Sequence, residues 1–328
     1  AAGLDPWPKR TPLNPIVRGR RYCNGYAVDN VAFEPIPDYH ATANLCWPSE
    51  PRVSHPLVLS CHGHGQAEIG RCSETQQIRC GILARCGAIV LALDMVGFGE
   101  SLAHLPRSQS HATPMSFTLQ TWTAIRALDL LTSLDRADAS RIAVTGESGG
   151  GTQSFVLTAL DERVSVSVPV VMVSAHFFGG CPCESGLPIH LGPDHFTTNA
   201  GIAALAAPRP QLLVSDGKDW TVNNPTVEFP FLQRIYGFYG KTEQVANVHL
   251  ADEGHDYGPS KRQAMYAFVA KHLHLDLSAV MGADGRVDET WAAVAPMERL
   301  HVFDAAQPDN LRPDLASLAR TLRSLQDP

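Results

Sequence analysis

Long apolar runs are missing from this chain: no stretch approaches the about 18 consecutive apolar residues that a membrane-spanning helix needs, so no such helix is expected. Clustered positive charge is missing as well. The 26 Lys and Arg are scattered among 33 Asp and Glu, the formal net charge is −7, and there is no basic stripe for nucleic acid to follow. Neither a nucleic-acid nor a membrane partner is therefore expected. Repeats and low-complexity tracts are absent, and no charged segment followed by an apolar one opens the chain. A chain starting Ala1-Ala2-Gly3 is compatible with the mature product of signal cleavage. Cysteine is not scarce, and eight residues (Cys23, Cys46, Cys61, Cys72, Cys80, Cys86, Cys181, Cys183) are many for a reducing compartment. The expectation is a periplasmic or secreted protein, with a cytoplasmic one as the alternative. At least one disulfide is expected from Cys72, Cys80, Cys181 and Cys183, while Cys61 and Cys86 read as small buried apolar residues.

An apolar share of 44% over 328 residues is ample for one large core. A Pro-rich, extended N-terminal arm (1–25) precedes two segments with period-2 alternation, 26–33 and 41–47, that read as edge strands. Runs apolar on both faces follow: Leu57-Val58-Leu59, Ala88 to Leu93, Ile142-Ala143-Val144, Val164 to Val173, Leu212-Leu213-Val214 and Val245 to Leu250. Such runs suit a parallel sheet covered by helices. Helical patterns lie between them, near 74–86, 118–134, 149–160, 226–239 and 259–273. In the second, Leu119, Trp122, Ile125, Leu128 and Leu131 mark one buried face. The reading is α/β: a mostly parallel central sheet with an antiparallel N-terminal hairpin and helices on both faces. The catalytic domain spans 26–274, with 175–207 inserted over the site, and 275–328 forms a C-terminal extension with amphipathic segments at 290–300 and 314–325.

Chemistry enters at Thr145-Gly146-Glu147-Ser148-Gly149-Gly150-Gly151, directly after the apolar run Ile142-Ala143-Val144. A strand ending in GxSxG lifts its serine onto a strained strand-to-helix turn, and the flanking glycines let neighbouring backbone pass where a Cβ would clash. Four further segments stand in a telling order around it. His62-Gly63-His64-Gly65 follows the Leu57–Leu59 strand; Asp94-Met95-Val96-Gly97-Phe98-Gly99-Glu100-Ser101 follows the next; Ser215-Asp216-Gly217-Lys218-Asp219-Trp220 and Glu253-Gly254-His255-Asp256 follow two later strands.

This order resembles the α/β-hydrolase superfamily of serine esterases over residues 40–273. Within it, the N-terminal hairpin, the DxxGxGxS segment and the lack of a large helical cap are similar to the acetyl xylan esterase and dienelactone hydrolase branch. The elbow reads Gly-Glu-Ser-Gly-Gly, where acetyl xylan esterases carry Gly-Gly-Ser-Gln-Gly-Gly. The resemblance implies a serine carboxylesterase for small-group esters on carbohydrate, acetyl or methyl, with no cofactor. It implies Ser148 as nucleophile, His255 as base, and the backbone N–H groups of Gly149 and His64 as oxyanion donors. Asp216 and Asp219 both follow the Leu212–Val214 strand; the family pattern favours Asp219 as the acid and leaves Asp216 to cap the turn. Trp220, His176, Phe177 and Glu184 are candidates for the pocket wall.

Competing readings are a serine peptidase of the same fold, which usually carries an accessory domain, a general small-molecule esterase of that fold, and a non-catalytic binding relative, against which an ordered Ser, Asp and His stand. His62 and His64 with Cys181 and Cys183 also invite a zinc reading, but neither HxH nor CxC is a zinc-finger spacing and the HG segment is already explained as an oxyanion loop. No metal is expected. Asp94 and Glu147 read as structural, the first capping its glycine-rich turn and the second lying beneath the nucleophile.

Overall fold

The apolar runs pair into one nine-stranded sheet in the computed structural model, which describes residues 2–103, 105, 113–178, 180–181, 184, 189–303 and 314–327. In chain order the elements are β1 (Ile16–Cys23), β2 (Tyr26–Ile36), β3 (Tyr39–Pro48), β4 (His55–Cys61), α1 (Glu74–Arg85), β5 (Ile89–Leu93), α2 (Pro114–Thr132), β6 (Ala137–Glu147), α3 (Gly149–Leu160) and β7 (Val166–Val170). A two-residue hairpin, β8 (Leu191–Gly192) and β9 (His195–Phe196), and the short α4 (Asn199–Ala203) follow. The chain then continues through β10 (Gln211–Asp216), α5 (Glu228–Gly237), β11 (Val245–Leu250), α6 (Pro259–Leu273) and α7 (Leu315–Gln326). Spatial order is β1-β2-β3-β5-β4-β6-β7-β10-β11. The first three strands pair antiparallel, as does β3 with β5, and every later pair is parallel.

Alternation along the central strands decides what each face buries. Leu57 and Leu59 of β4 join a core with Trp122, Ile125 and Leu128 of α2 and with Leu318 and Leu322 of α7. Val58, between them, points the other way, into a core with Ile82 and Leu83 of α1 and Met265, Tyr266 and Val269 of α6. All seven residues of β4 are buried, which is why the strand reads as a continuous apolar run. Because β4, β6, β10 and β11 are parallel, the loops leaving their carboxyl ends gather along one edge of the sheet, where open α/β sheets hold their ligands.

Three expectations change in the structure. The arm expected over 1–25 is extended, and its second half is the edge strand β1, paired with β2. The amphipathic segment 290–300 forms no helix, only the 3₁₀ turns Glu289–Trp291 and Met297–Arg299. Side chains from the sheet and α1 take its backbone groups instead: Ala293 N–H donates to Tyr26 Oη at 2.9 Å, Ala295 N–H donates to Gln77 Oε1 at 2.8 Å, and Pro296 has no N–H to give a helix. Cys72 and Cys80, expected among the disulfide candidates, are buried free thiols, as are Cys46, Cys61 and Cys86. Burial pushes the Cys80 thiol up to about 11 and that of Cys72 to about 12. Cys181 is disulfide-bonded; Cys183 lies outside the described residues. Among the described residues no helix is long and apolar enough to cross a membrane.

Trp122 anchors the α2 face. It is fully buried and its indole N–H donates to the Pro35 carbonyl at 3.0 Å. Trp122→Ala should cost about 3–5 kcal/mol through the cavity it leaves, read as a lower urea midpoint at unchanged slope. A loss below about 1 kcal/mol would mean that the α2 face is not packed as described.

Candidate active site

Ser148 stands between the last residue of β6 and the first of α3 with φ 55° and ψ −123°, a region that non-glycine residues avoid. Its N–H donates to the Val170 carbonyl at 3.1 Å and its carbonyl accepts from Thr152 N–H at 2.9 Å, so strand and helix both hold the strained turn. The turn closes only because Gly146 and Gly150 have no Cβ. A methyl at either would fall 2.5 Å from the Cys61 carbonyl oxygen, which pins the elbow against the end of β4. Beneath it Glu147 accepts from Arg79 Nη2 at 2.9 Å, and the buried Arg79 guanidinium stacks 4.5 Å over the Tyr257 ring. This is the structural place expected for Glu147. Gly149 begins α3, so its N–H belongs to the helix-end donors that have no partner within the helix.

His255 and Asp219 come from the loops after β11 and β10. Gly217 lets these loops meet, since a Cβ there would clash with the Ala251 carbonyl. His255 Nδ1 lies 2.6 Å from Asp219 Oδ2, while Asp219 Oδ1 accepts from the N–H and the hydroxyl of Thr221, both at 2.6 Å. Three acceptor contacts fix the Asp219 carboxylate and leave His255 Nε2 to face outward chemistry. Asp216 does different work. It is fully buried, accepts from Lys218 N–H at 3.0 Å, and lies 3.6 Å from the Lys261 ammonium. Burial pushes its carboxyl above the ordinary range.

Glu184 reaches Ser148. Ser148 Oγ donates to Glu184 Oε1 at 3.2 Å, and no hydrogen bond joins Ser148 to His255 among the described residues. The same Glu184 oxygen lies 2.8 Å from His64 Nδ1. Burial works to raise the Glu184 carboxyl, but His64, the Cys181 N–H and the serine hydroxyl outweigh it and hold it below the usual carboxylate range. Glu184, expected as a pocket wall, is thus an ionised carboxylate on the serine itself. The HG loop brings the His64 ring onto the elbow: a Cβ at Gly149 would fall 2.5 Å from His64 Cε1. Asp94, expected to cap its own glycine-rich turn, instead ties neighbouring segments, accepting from Arg71 N–H at 2.8 Å and Thr42 Oγ1 at 2.7 Å; Ser101 Oγ takes the turn's Gly97 and Phe98 N–H groups at 2.9 and 3.1 Å, and Met95 N–H donates to His62 Nε2 at 3.0 Å. Burial lowers the His62 pKa, keeping this ring neutral.

Aromatic rings flank His255. Phe177 stacks on Trp220 with centroids 4.2 Å apart, and Trp220 lies 4.4 Å from the His255 ring. The indole N–H of Trp220 is buried with no hydrogen-bond partner among the described residues. His176 is exposed beside Phe177, and its backbone N–H donates to Ser174 Oγ at 3.2 Å. The insertion expected to wall the site includes 179, 182–183 and 185–188, which lie outside the described residues. His64, Cys181 and Glu184 place three potential metal-donor atoms within 4.8 Å of one another, with His64 Nε2 3.2 Å from Cys181 Sγ. The Cys181 sulfur is committed to its disulfide, which leaves one imidazole and one carboxylate and fits a tetrahedral metal poorly.

Two supports escape a reading of the sequence: the Thr221 brace on Asp219 and the Glu184 contact to Ser148. The first could have been suspected from Asp-x-Thr, a local side-chain-to-backbone turn. The second joins positions 36 residues apart across α3 and β7, to a residue in an aperiodic segment, and leaves no local signal.

An acetyl xylan esterase family model matches residues 20–178. Among solved structures, the methylesterase BT1017 superposes with a TM-score of 0.86 at 38% identity, over 97% of this chain and 71% of that one. An acetyl xylan esterase from Paenibacillus sp. R4 (TM-score 0.57, 19% identity, 80% of this chain and 90% of that one) shares the fold. So does a glucuronoyl esterase from Solibacter usitatus (TM-score 0.59, 14% identity, 81% and 87%). No curated protein matches the chain.

The two aspartates separate by experiment. Asp219→Asn should lower kcat by orders of magnitude, about 10⁴-fold in the analogous protease case, because it removes the acceptor that holds His255 Nδ1. Asp216→Asn should act mainly on thermal stability. Steady-state kinetics beside melting curves decide, and the opposite ranking would reassign the acid.

Proposed function

We infer the activity from one premise: the chain belongs to the α/β-hydrolase superfamily, in the esterase branch of the acetyl xylan esterases and dienelactone hydrolases. It is a carboxylic ester hydrolase. The substrate we propose is a small-group ester on plant polysaccharide or oligosaccharide, with the methyl ester of a uronic acid as the first choice. Support for methyl comes from the methylesterase that is 38% identical over nearly the whole chain. Acetyl is the second reading, supported by the family model over residues 20–178.

The observation that carries the mechanism is Ser148 at a strained elbow in a chain that also fixes a His255 on Asp219. His255 Nε2 takes the proton of Ser148 as Oγ attacks the ester carbonyl. Asp219 keeps Nδ1 protonated and steadies the imidazolium. The tetrahedral oxyanion is met by the N–H groups of Gly149 and His64, each worth about 2.7–4 kcal/mol in a preorganised site. The alcohol, methanol for a methyl ester, leaves with the proton returned by His255, and water then clears the acyl-enzyme by the same path. The Ser148 hydroxyl must first turn from Glu184 toward His255. The acid product leaves as an anion beside the ionised Glu184, and their repulsion favours release. The disulfide at Cys181 supports a periplasmic or secreted location.

Ser148→Ala should remove more than about 99% of turnover in a folded protein, leaving only what the oxyanion donors and binding supply. With p-nitrophenyl esters, kcat/KM should fall from C2 to C8. A lipase-like tunnel would instead raise it by about 0.8 kcal/mol per buried CH₂. Methanol release from methyl-esterified pectin should exceed acetate release from acetylated xylan. The reverse order would favour the acetyl reading, and a maximum at C8 or longer would contradict both carbohydrate readings.

A further inference from the structure

A pocket of about 380 Å³ opens where β1 to β3 and α1 meet the C-terminal extension, and none of Ser148, Asp219 and His255 lines it. Four arginines do: Arg20, Arg21, Arg71 and Arg299. No Asp or Glu is among its lining residues, in a chain whose formal net charge is −7.

Two of the four charges are already answered. Arg20 donates twice to Asp29, at 2.7 and 2.6 Å, and the wholly buried Arg71 is held by Asp94 and Glu100. Arg21 and Arg299 are different. Arg21 Nη1 donates to Asn30 Oδ1 at 3.0 Å and to the Arg299 carbonyl, both uncharged acceptors. Neither guanidinium has a carboxylate within ion-pair distance among the described residues. Burial lowers the Arg21 pKa, against the pull of the Cys23 and Cys46 sulfurs, and the Arg299 charge is near enough to push it down further. Burial raises the Tyr26 phenol and the Cys46 and Cys80 thiols on the wall and keeps them neutral, so these groups bring no negative charge to the two guanidinium groups. At the rim the Tyr22 ring is 83% exposed, a face on which a sugar can stack.

We propose that this pocket is a second, non-catalytic binding site for a sugar-borne carboxylate, a uronic acid residue, held by the Arg21 and Arg299 guanidinium groups. Its volume lies at the small end of ligand pockets, which run from about 300 to 1,000 Å³. Planar guanidinium forks match a carboxylate with two parallel hydrogen bonds. The choice of a uronate over another anion rests on the proposed polysaccharide substrate: de-esterification creates carboxylates along the chain, and a site for them would hold the enzyme on a partly processed polymer.

Calorimetric titration of the intact protein with galacturonate, galactose and inorganic phosphate tests this, alongside Arg21→Gln and Arg299→Gln variants whose melting curves match the parent. Expected is galacturonate binding that weakens with added salt, that is at least tenfold weaker for galactose, and that drops at least tenfold in either variant. Arg21→Lys, which keeps the charge, should retain part of the affinity. Equal binding of galactose, binding of phosphate without galacturonate, binding undiminished in both glutamine variants, or no binding at all would each overturn the proposal. Methanol release by the same preparation is read separately. Hydrolysis without galacturonate binding would remove this site and leave the esterase reading, and binding without hydrolysis would do the opposite.

Discussion

The active-site geometry depends on one close approach: the backbone at Gly146 and Gly150 against the carbonyl of Cys61. That contact locks the end of β6 and the start of α3 onto the end of β4, and forces Ser148 into a backbone conformation that only a surrounding fold can hold. It also sets the distance between Ser148 and the HG loop, because Gly63 and His64 follow Cys61 within three residues and pack on the same elbow. Any side chain at 146 or 150 would separate strand, helix and loop together. The strain at Ser148 is affordable because β4 and β6 lie at the middle of the sheet, buried on both faces.

Charge around the serine is arranged as two histidine–carboxylate pairs of unequal character. Asp219 and His255 are joined at 2.6 Å, with the carboxylate braced by Thr221 and the imidazole partly exposed. Glu184 and His64 lie on the other loops, with the imidazole more deeply buried than that of His255, and it is Glu184 that accepts the serine hydroxyl. The disulfide at Cys181 stands at the same place, since Glu184 N–H donates to the Cys181 carbonyl at 3.0 Å, so the loop that positions this carboxylate is covalently tied.

Much of this was legible in the amino-acid order, and the parts that were not share a physical reason. The parallel strands announce themselves because burial on both faces leaves no room for polar residues, as in Leu57-Val58-Leu59. The order of the HG loop, the elbow, Asp219 and His255 follows from chemistry that needs each group at the carboxyl end of a strand. Strand β1 is hidden because Arg18, Arg20 and Arg21 crowd its sequence: an edge strand held by one backbone ladder needs no apolar alternation. The segment 290–300 misleads in the opposite sense, having helical composition but giving its backbone hydrogen bonds to Tyr26 and Gln77. Whether Cys72 and Cys80 are bridged or buried depends on tertiary neighbours that spacing does not encode. Glu184 on Ser148 is the same kind of case, a contact between the elbow and an aperiodic segment that α3 and β7 separate in the chain.

The central claim is that Ser148 forms the covalent intermediate, and trapping that intermediate tests it most directly. Acid-quenched turnover of p-nitrophenyl acetate, followed by peptide mass spectrometry, should show acetyl on the peptide carrying Ser148, accumulating as deacylation is slowed. Acetyl on a different side chain, or steady turnover with no acyl-enzyme at any quench time despite a burst of p-nitrophenol, would contradict the account.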